Sequence, residues 1–302
     1  MIFNRPDTTE QVFAEIRKQQ PKYLFIAADG PRDNKPDDVE QGDRCRQIVS
    51  RVDWDCEIQT LYQSKNLGCG LAPATAITWF FTQVMEGIIL EDDCIPNGSF
   101  FEFCENLLAT HRHNINVMMI CGTSYQPQPL NNDTYYFSQY PHVWGWATWR
   151  RAWTKYNFKL DNETNTVRAN VIRNTFFNSR ERRLWEGNMK MIINGLDAWD
   201  YQWMYWMWKN NGLCAVPWKN MISNIGFGPH ATHTFNISSN QNQMEQHTIE
   251  AIHHPKQIAI NKKADSYERY HILIGSNGSY YANKLKSGIK KIIKILFKNN
   301  AK

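Results

Sequence analysis

The sequence predicts an α/β fold, a mostly parallel sheet flanked by helices, and three observations lead there. Over the first ~125 residues, short β-branched or aromatic runs alternate with amphipathic stretches of helical period. The apolar runs are short and nearly continuous, as in strands covered on both faces. Each run gives way to a polar segment: "NRPD", "ADGPRD", "QSKNLGCG" and "EDD". In an open parallel sheet these segments follow the carboxyl ends of the strands and converge on one rim, where ligands bind.

Met1–Phe3 reads as a first strand. "DTTEQVFAEIRKQQP" follows as a helix, with Asp7 or Thr8 as N-cap and Pro21 as its stop. "KYLFIAADGPRD" is a second strand and its loop, and "CEIQTLY" a third strand. "NLGCGLAPATAITWFFTQ" is a glycine-rich loop opening a helix. "GIIL" is the fourth strand, "SFFEFCENLLATH" a helix, and "NVMMICGTS" the fifth strand. From Tyr125 the texture changes to polar loops, a short strand at "YYF" and Trp-rich helices. "DYQWMYWMWKNN" is apolar on nearly every face and therefore buried, ending at Asn211–Gly212. "GLCAVPW" is a last strand. The chain divides into a ligand-binding half (1–125), an aromatic half of the same domain (126–235), a polar linking segment (236–283) and a basic tail (284–302).

At 302 residues the chain holds one large domain, or two smaller ones sharing a cleft. Ten of its 12 tryptophans crowd between residues 144 and 218, as core filler or as flat walls for sugar rings or bases. The net charge of +5 belongs to the tail. Seven lysines and no acids lie from Lys284 to Lys302, so the remainder carries 5 − 7 = −2 and offers no basic face for nucleic acid. In the tail, Leu285, Ile289, Ile292, Ile293 and Leu296 share one helical face opposite the lysines. This pattern suits either an in-plane anchor on an anionic membrane or a helix packed on the body. The opening "MIFNRPD" does not read as a secretory leader, and "AITWFFTQVMEGIIL" is broken by Gln83 and Glu86. Seven cysteines without CxxC pairs point to free thiols in a reducing cytosol and lend little support to zinc. The expected location is cytoplasmic, peripheral on the inner face of the cell membrane.

The stretch that asks for an explanation is "EGIILEDDCIPNGSFFEF". A buried strand runs into Glu91, Asp92 and Asp93, which repel one another and resist desolvation. Either a hard cation, Mn²⁺ or Mg²⁺, sits at Asp93 and bridges to a diphosphate, or the acids decorate the N-terminus of the helix from Gly98. Asp29 is a base-imide acceptor or a turn residue with Gly30–Pro31. Lys65 and the Gly68–Gly70 loop approach phosphates or simply start a helix. Asp200 is a general base or a first-turn acid. His230 and His233, in "GFGPHATHT", bind diphosphate or metal or are plain loop residues.

Together these segments resemble bacterial glycosyltransferases of the Rossmann-like GT-A fold. The nearest likeness is to nucleotide-diphospho-sugar transferases carrying "IFNRPD", "ADGPR", "LGC", "GIILEDD" and "GWATWRRAW"; Golgi N-acetylglucosaminyltransferases are more distantly similar. The resemblance spans roughly residues 1 to 235. It implies that Asp93 ligates the metal, with Glu91 and Asp92 nearer the nucleotide sugar. It also implies a base pocket lined by Asn4, Arg5, Asp29 and Arg32, and donor contacts at Trp144, Gly145 and Trp146. His230 would close on the diphosphate, and Asp200 would be the catalytic base of an inverting, metal-dependent transferase. The implied donor is a UDP-sugar and the acceptor a glycan or lipid-linked glycan. Two other readings are a sugar nucleotidylyltransferase, against which "NRPDTT" stands where a Gly-, Arg- and Lys-bearing loop belongs, and a non-catalytic glycan-binding module.

Overall fold

The structure, a computed structural model, describes residues 1–228 and 241–275. It is α/β, with a mixed central sheet flanked by helices. Helix α1 (Pro6–Gln19) follows the first residues, then β1 (Tyr23–Ala28), α2 (Asp37–Val49), β2 (Glu57–Tyr62), α3 (Gly68–Gln83) and β3 (Glu86–Ile89). Next come β4 (Cys94–Pro96), α4 (Gly98–His111), β5 (Val117–Cys121), β6 (Tyr135–Ser138) and β7 (Trp146–Trp149). The helices α5 (Arg150–Trp153), α6 (Asn165–Thr175), α7 (Ser179–Ile193) and α8 (Asp200–Lys209) precede β8 (Leu213–Pro217), β9 (Ile222–Asn224) and α9 (Lys262–Glu268).

β1 and β2 pair in parallel. The five-stranded sheet runs β3-β7-β5-β8-β6, and only its β5–β8 pair is parallel. The expected mostly parallel sheet is therefore corrected in its centre. β7 lies inside the "GWATWRRAW" segment and inserts antiparallel between β3 and β5. Met1–Phe3 is not a full strand, but it joins the two sheets. Ile2 bridges Ala28 in parallel, and the Met1 nitrogen donates to Leu90 O at 2.7 Å.

α1 starts at Pro6, whose fixed φ suits a first helical position, with Arg5 as N-cap residue. Neither Asp7 nor Thr8 caps it, and the Arg5 side chain is directed elsewhere. β1 grows more buried toward its end, where Ile26, Ala27 and Ala28 are covered, so the chain delivers Asp29 to the rim. α2 buries only Asp38, Cys45 and Val49, of which Val49 joins Phe13 and Ile26 in a small core.

Most of the tryptophans resolve as core filler. Trp146 has 0% exposure and stacks on Trp199 at 5.7 Å, with Trp153 and Trp203 packed around them. This cluster locks β7 and α5 against α8, so each indole removes a large apolar area from water. Residues 241–275, expected to link, lie against the body instead. His247 N donates to Asn220 O, Ile249 and Ile252 pack on the α4 side of the sheet, and Ala264 of α9 is fully buried. The basic tail lies outside the described residues. Among the described residues no helix is long and apolar enough to cross a membrane.

Candidate functional site

A cleft of about 1010 Å³ opens where β1 and β3 end. All four polar strand-end segments contribute to it: Asn4 and Arg5, Asp29 and Arg32, Asn66 with Gly68, and Glu91 with Asp92. The opposite wall is Ile225–Gly228, which β9 aims back at the rim. The convergence expected from the alternation of strands and polar loops is thus present.

The acidic triplet is not the first turn of a helix. β4 separates it from α4, whose first turn holds no acid and whose N-cap Asn97 accepts from Phe100 N at 3.1 Å. β4 pairs antiparallel with β9, and Ile225 N donates to Asp93 O at 2.9 Å. Two cationic groups stand beside the acids: the buried Met1 amino group, whose pKa burial lowers against the pull of the acids, and Arg5. The Arg5 guanidinium forks onto Asp92, with Nη2 facing Oδ1 and Nε 3.3 Å from Oδ2, while Nη1 reaches Asp93 Oδ2 at 2.8 Å. Burial alone would lower the Arg5 pKa, but Asp92 and Asp93 reverse this and raise it. Burial raises Asp92 against the pull of Arg5. Glu91 is pushed up to about 8, first by burial and then by Asp93 and Asp92. Arg5 and the Met1 amino group face three carboxyl groups, and Glu91 binds its proton more tightly than an exposed glutamate does. Gly226 crosses so close to Asp93 that a Cβ there would overlap Oδ2.

Asp29 does not turn freely toward the cleft. Its oxygens accept from Gly30 N, Leu67 N and Gly68 N and from the Asn66 amide, all within 2.8 to 3.2 Å. Burial, the largest effect on its pKa, raises it; these amides oppose the rise and Asp197 adds to it. Asp197 takes the next amides along α3, Cys69 N at 2.9 Å and Gly70 N at 2.8 Å. The glycines let carboxylates approach, since a Cβ at Gly68 or Gly70 would overlap Asp197. The α3 N-terminus, read from sequence as a phosphate cradle, is therefore occupied by Asp29 and Asp197. Lys65 does not line the cleft; its backbone packs against Gly30.

At the other end of the cleft, Arg32 lies on the ring of Phe3 and grips Asp38 through Nε–Oδ2 at 2.6 Å and Nη2–Oδ1 at 2.8 Å. Asn4 Nδ2 donates to the same carboxylate at 2.7 Å. The Arg32 side chain, followed by lesser contributions, holds Asp38 down to about 2. Asp38 was not singled out in the sequence. Its only signal is the acid pair "PDD" opening α2, a common first-turn pattern.

Asp93, Trp144, Gly145, Trp146 and Asp200 are not among the residues that line the cleft. Trp146 is wholly buried and cannot touch a ligand in this arrangement. Gly145 has φ +62°, and a Cβ there would strike Ile222, so its role is backbone geometry. Trp144 stands one layer behind, edge-on to Phe227 at 5.7 Å. Asp200 begins α8 beneath Tyr156 and Tyr201 and is not among the cleft-lining residues, whereas Asp197 is. His230 and His233 lie outside the described residues.

No protein-family model and no curated protein matches the chain. Among the described residues, no three His, Cys, Asp or Glu side chains converge as a metal cage. Glu91, Asp92 and Asp93 nonetheless supply the carboxylate oxygens that a hard divalent cation favours.

Proposed function

We propose that the chain is a glycosyltransferase of the GT-A class, using a UDP-sugar and Mn²⁺ or Mg²⁺, and that it inverts the transferred anomeric centre. The observation that carries this reading is the single cleft joining four strand-end segments beside the acids Glu91 and Asp92. The ordered resemblance of "IFNRPD", "ADGPR", "GIILEDD" and "GWATWRRAW" supports it independently.

In this reading Asn4, Asp29 and Arg32 border the nucleoside end, with Asp29 holding the loop rather than the base. Glu91 and Asp92 border the ribose and sugar, and Arg5 neutralises Asp92 while presenting a cation to the diphosphate. Asp93 would hold the divalent cation, which supplies positive charge against the departing nucleoside diphosphate. Asp200 takes the proton of an acceptor hydroxyl, and that oxygen attacks the anomeric carbon opposite the diphosphate. Its assignment rests on the resemblance and on its place three residues after Asp197, which does border the cleft. The acceptor is a glycan or lipid-linked glycan of the cell surface, met from the cytoplasmic side.

The test is UDP release from a panel of UDP-hexoses and UDP-N-acetylhexosamines with Mn²⁺. The wild type should release UDP, and Asp200→Asn should lose at least about a hundredfold in turnover while keeping UDP binding. Unchanged turnover in Asp200→Asn rejects the base. No release from any donor by the wild type rejects the transferase.

A further inference from the structure

One face of the helical hairpin α6–α7 has no place in the cleft chemistry. Phe177, at its turn, is 89% exposed, although Phe176 beside it is wholly buried. Along α7, Glu181, Trp185, Met189 and Ile192 form the buried stripe. The opposite stripe carries Ser179, Arg183, Lys190 and Asn194, with Met191 and Ile193 exposed at 46% and 49%. Arg173, Arg182, Arg183 and Lys190 enter no ion pair among the described residues, and Glu186 is the one acid at the margin of that stripe. A large exposed ring flanked by uncompensated arginines is costly in water and suits the boundary between headgroups and acyl chains.

The path of the chain gives the second, independent observation. The described residues end at Gly275, and Arg180 of α7 holds that end by donating to the carbonyl oxygens of Ile274 and Gly275. Asn178 donates to the Tyr270 hydroxyl at 3.3 Å, and Leu273 packs on the same helical cluster. The described chain thus ends against α7 at Arg180, three positions after Phe177, and the seven lysines between Lys284 and Lys302 follow later in the sequence.

We propose that the α6–α7 face is a docking surface for an anionic lipid bilayer, with Phe177 entering the interface and Arg173, Arg182, Arg183 and Lys190 meeting lipid phosphates. A lone weak membrane contact is marginal and reversible, so the exposed ring and the cationic side chains of this face would have to act together. This surface stands apart from the transferase reading, because vesicle binding needs no donor, metal or turnover.

The experiment is co-sedimentation of the full chain with phosphatidylcholine vesicles, with and without roughly 30 mol% phosphatidylglycerol. The wild type should partition onto the anionic vesicles and only weakly onto the neutral ones. Arg182→Gln with Arg183→Gln should weaken partitioning about fivefold for each arginine. Phe177→Ser should weaken it about tenfold. Circular dichroism should leave both variants unchanged in helix content, since the altered side chains lie on the surface. Variants that sediment like the wild type would overturn the proposal, whether the tail alone binds lipid, the tail covers Phe177, or a protein partner does. Failure of the wild type to prefer anionic vesicles would overturn it as well.

Discussion

Arg5 carries the largest electrostatic responsibility of any single side chain in the cleft. It reaches across 87 and 88 positions of sequence to Asp92 and Asp93, so no local pattern could reveal the pairing. Arg5→Ala leaves two buried carboxylates without their partner and should lower stability by about 3 kcal/mol in urea denaturation. Glu91 gives the matching pH signature. Its carboxyl, ordinarily at 4.5, sits at about 8 in the folded chain, so the folded state holds the proton more tightly than the unfolded one. Stability contributed by this group is full below about pH 4.5 and is lost as pH rises toward 8. Glu91→Gln should flatten that slope and, near pH 8.5, raise stability over the wild type by about 2 kcal/mol. Asp38 runs the other way. Held at about 2, it adds stability above its ordinary 3.8 that disappears as pH falls toward 2. Gly226→Ala should push the Asp93 carboxylate aside and weaken Mn²⁺-dependent UDP binding at least about tenfold by calorimetry.

Among the elements, α3 is held at its N-terminus by two acids from distant parts of the chain, Asp29 and Asp197. Asp197→Ala strips acceptors from Cys69 N and Gly70 N and should cost about 1 to 2 kcal/mol in chemical denaturation. Asp197→Asn, which keeps one acceptor oxygen, should recover part of that loss. The sequence marked α3 well, through its glycine-rich start and apolar run, but not what caps it, because that partner lies 127 residues away. α2 escaped notice for a different reason. Three buried residues in thirteen leave "DDVEQGDRCRQIV" too polar for a clear helical stripe. β7 was legible only as a family-like motif: its alternation is hidden by tryptophans on both faces, and antiparallel insertion between β3 and β5 is a property of the sheet, not of the segment. Composition likewise leaves a tryptophan wall and a tryptophan core indistinguishable, and Trp146 belongs to the core.

Across the whole molecule, the polar rim assembled as the strand–loop alternation requires, while residues 241–275 lie against the body rather than linking onward. α9 is fastened by charge. Asp265 accepts from Ser138 Oγ at 2.7 Å and Gln139 N at 3.3 Å, His142 Nε2 lies 3.3 Å from Glu268 Oε2, and Arg269 Nε meets Glu181 at 2.8 Å. Burial would lower the His142 pKa, but Glu268 raises it to about 9, so this contact is at full strength below His142's ordinary 6.5 and fades as pH climbs through 9. His142→Ala leaves Glu268 buried without its partner. It should destabilise the fold by about 3 kcal/mol and expose residues 255–275 to limited proteolysis well before the rest of the body.

All of this geometry narrows to one claim, that the acids Glu91, Asp92 and Asp93 receive a divalent cation together with a nucleoside diphosphate. Isothermal titration of UDP into the wild type and Asp93→Ala, each with and without Mn²⁺, tests it most directly. UDP should bind the wild type only when Mn²⁺ is present, and Asp93→Ala should abolish that heat while keeping its fold by circular dichroism. Binding of equal strength without the metal, or undiminished in Asp93→Ala, would contradict the account.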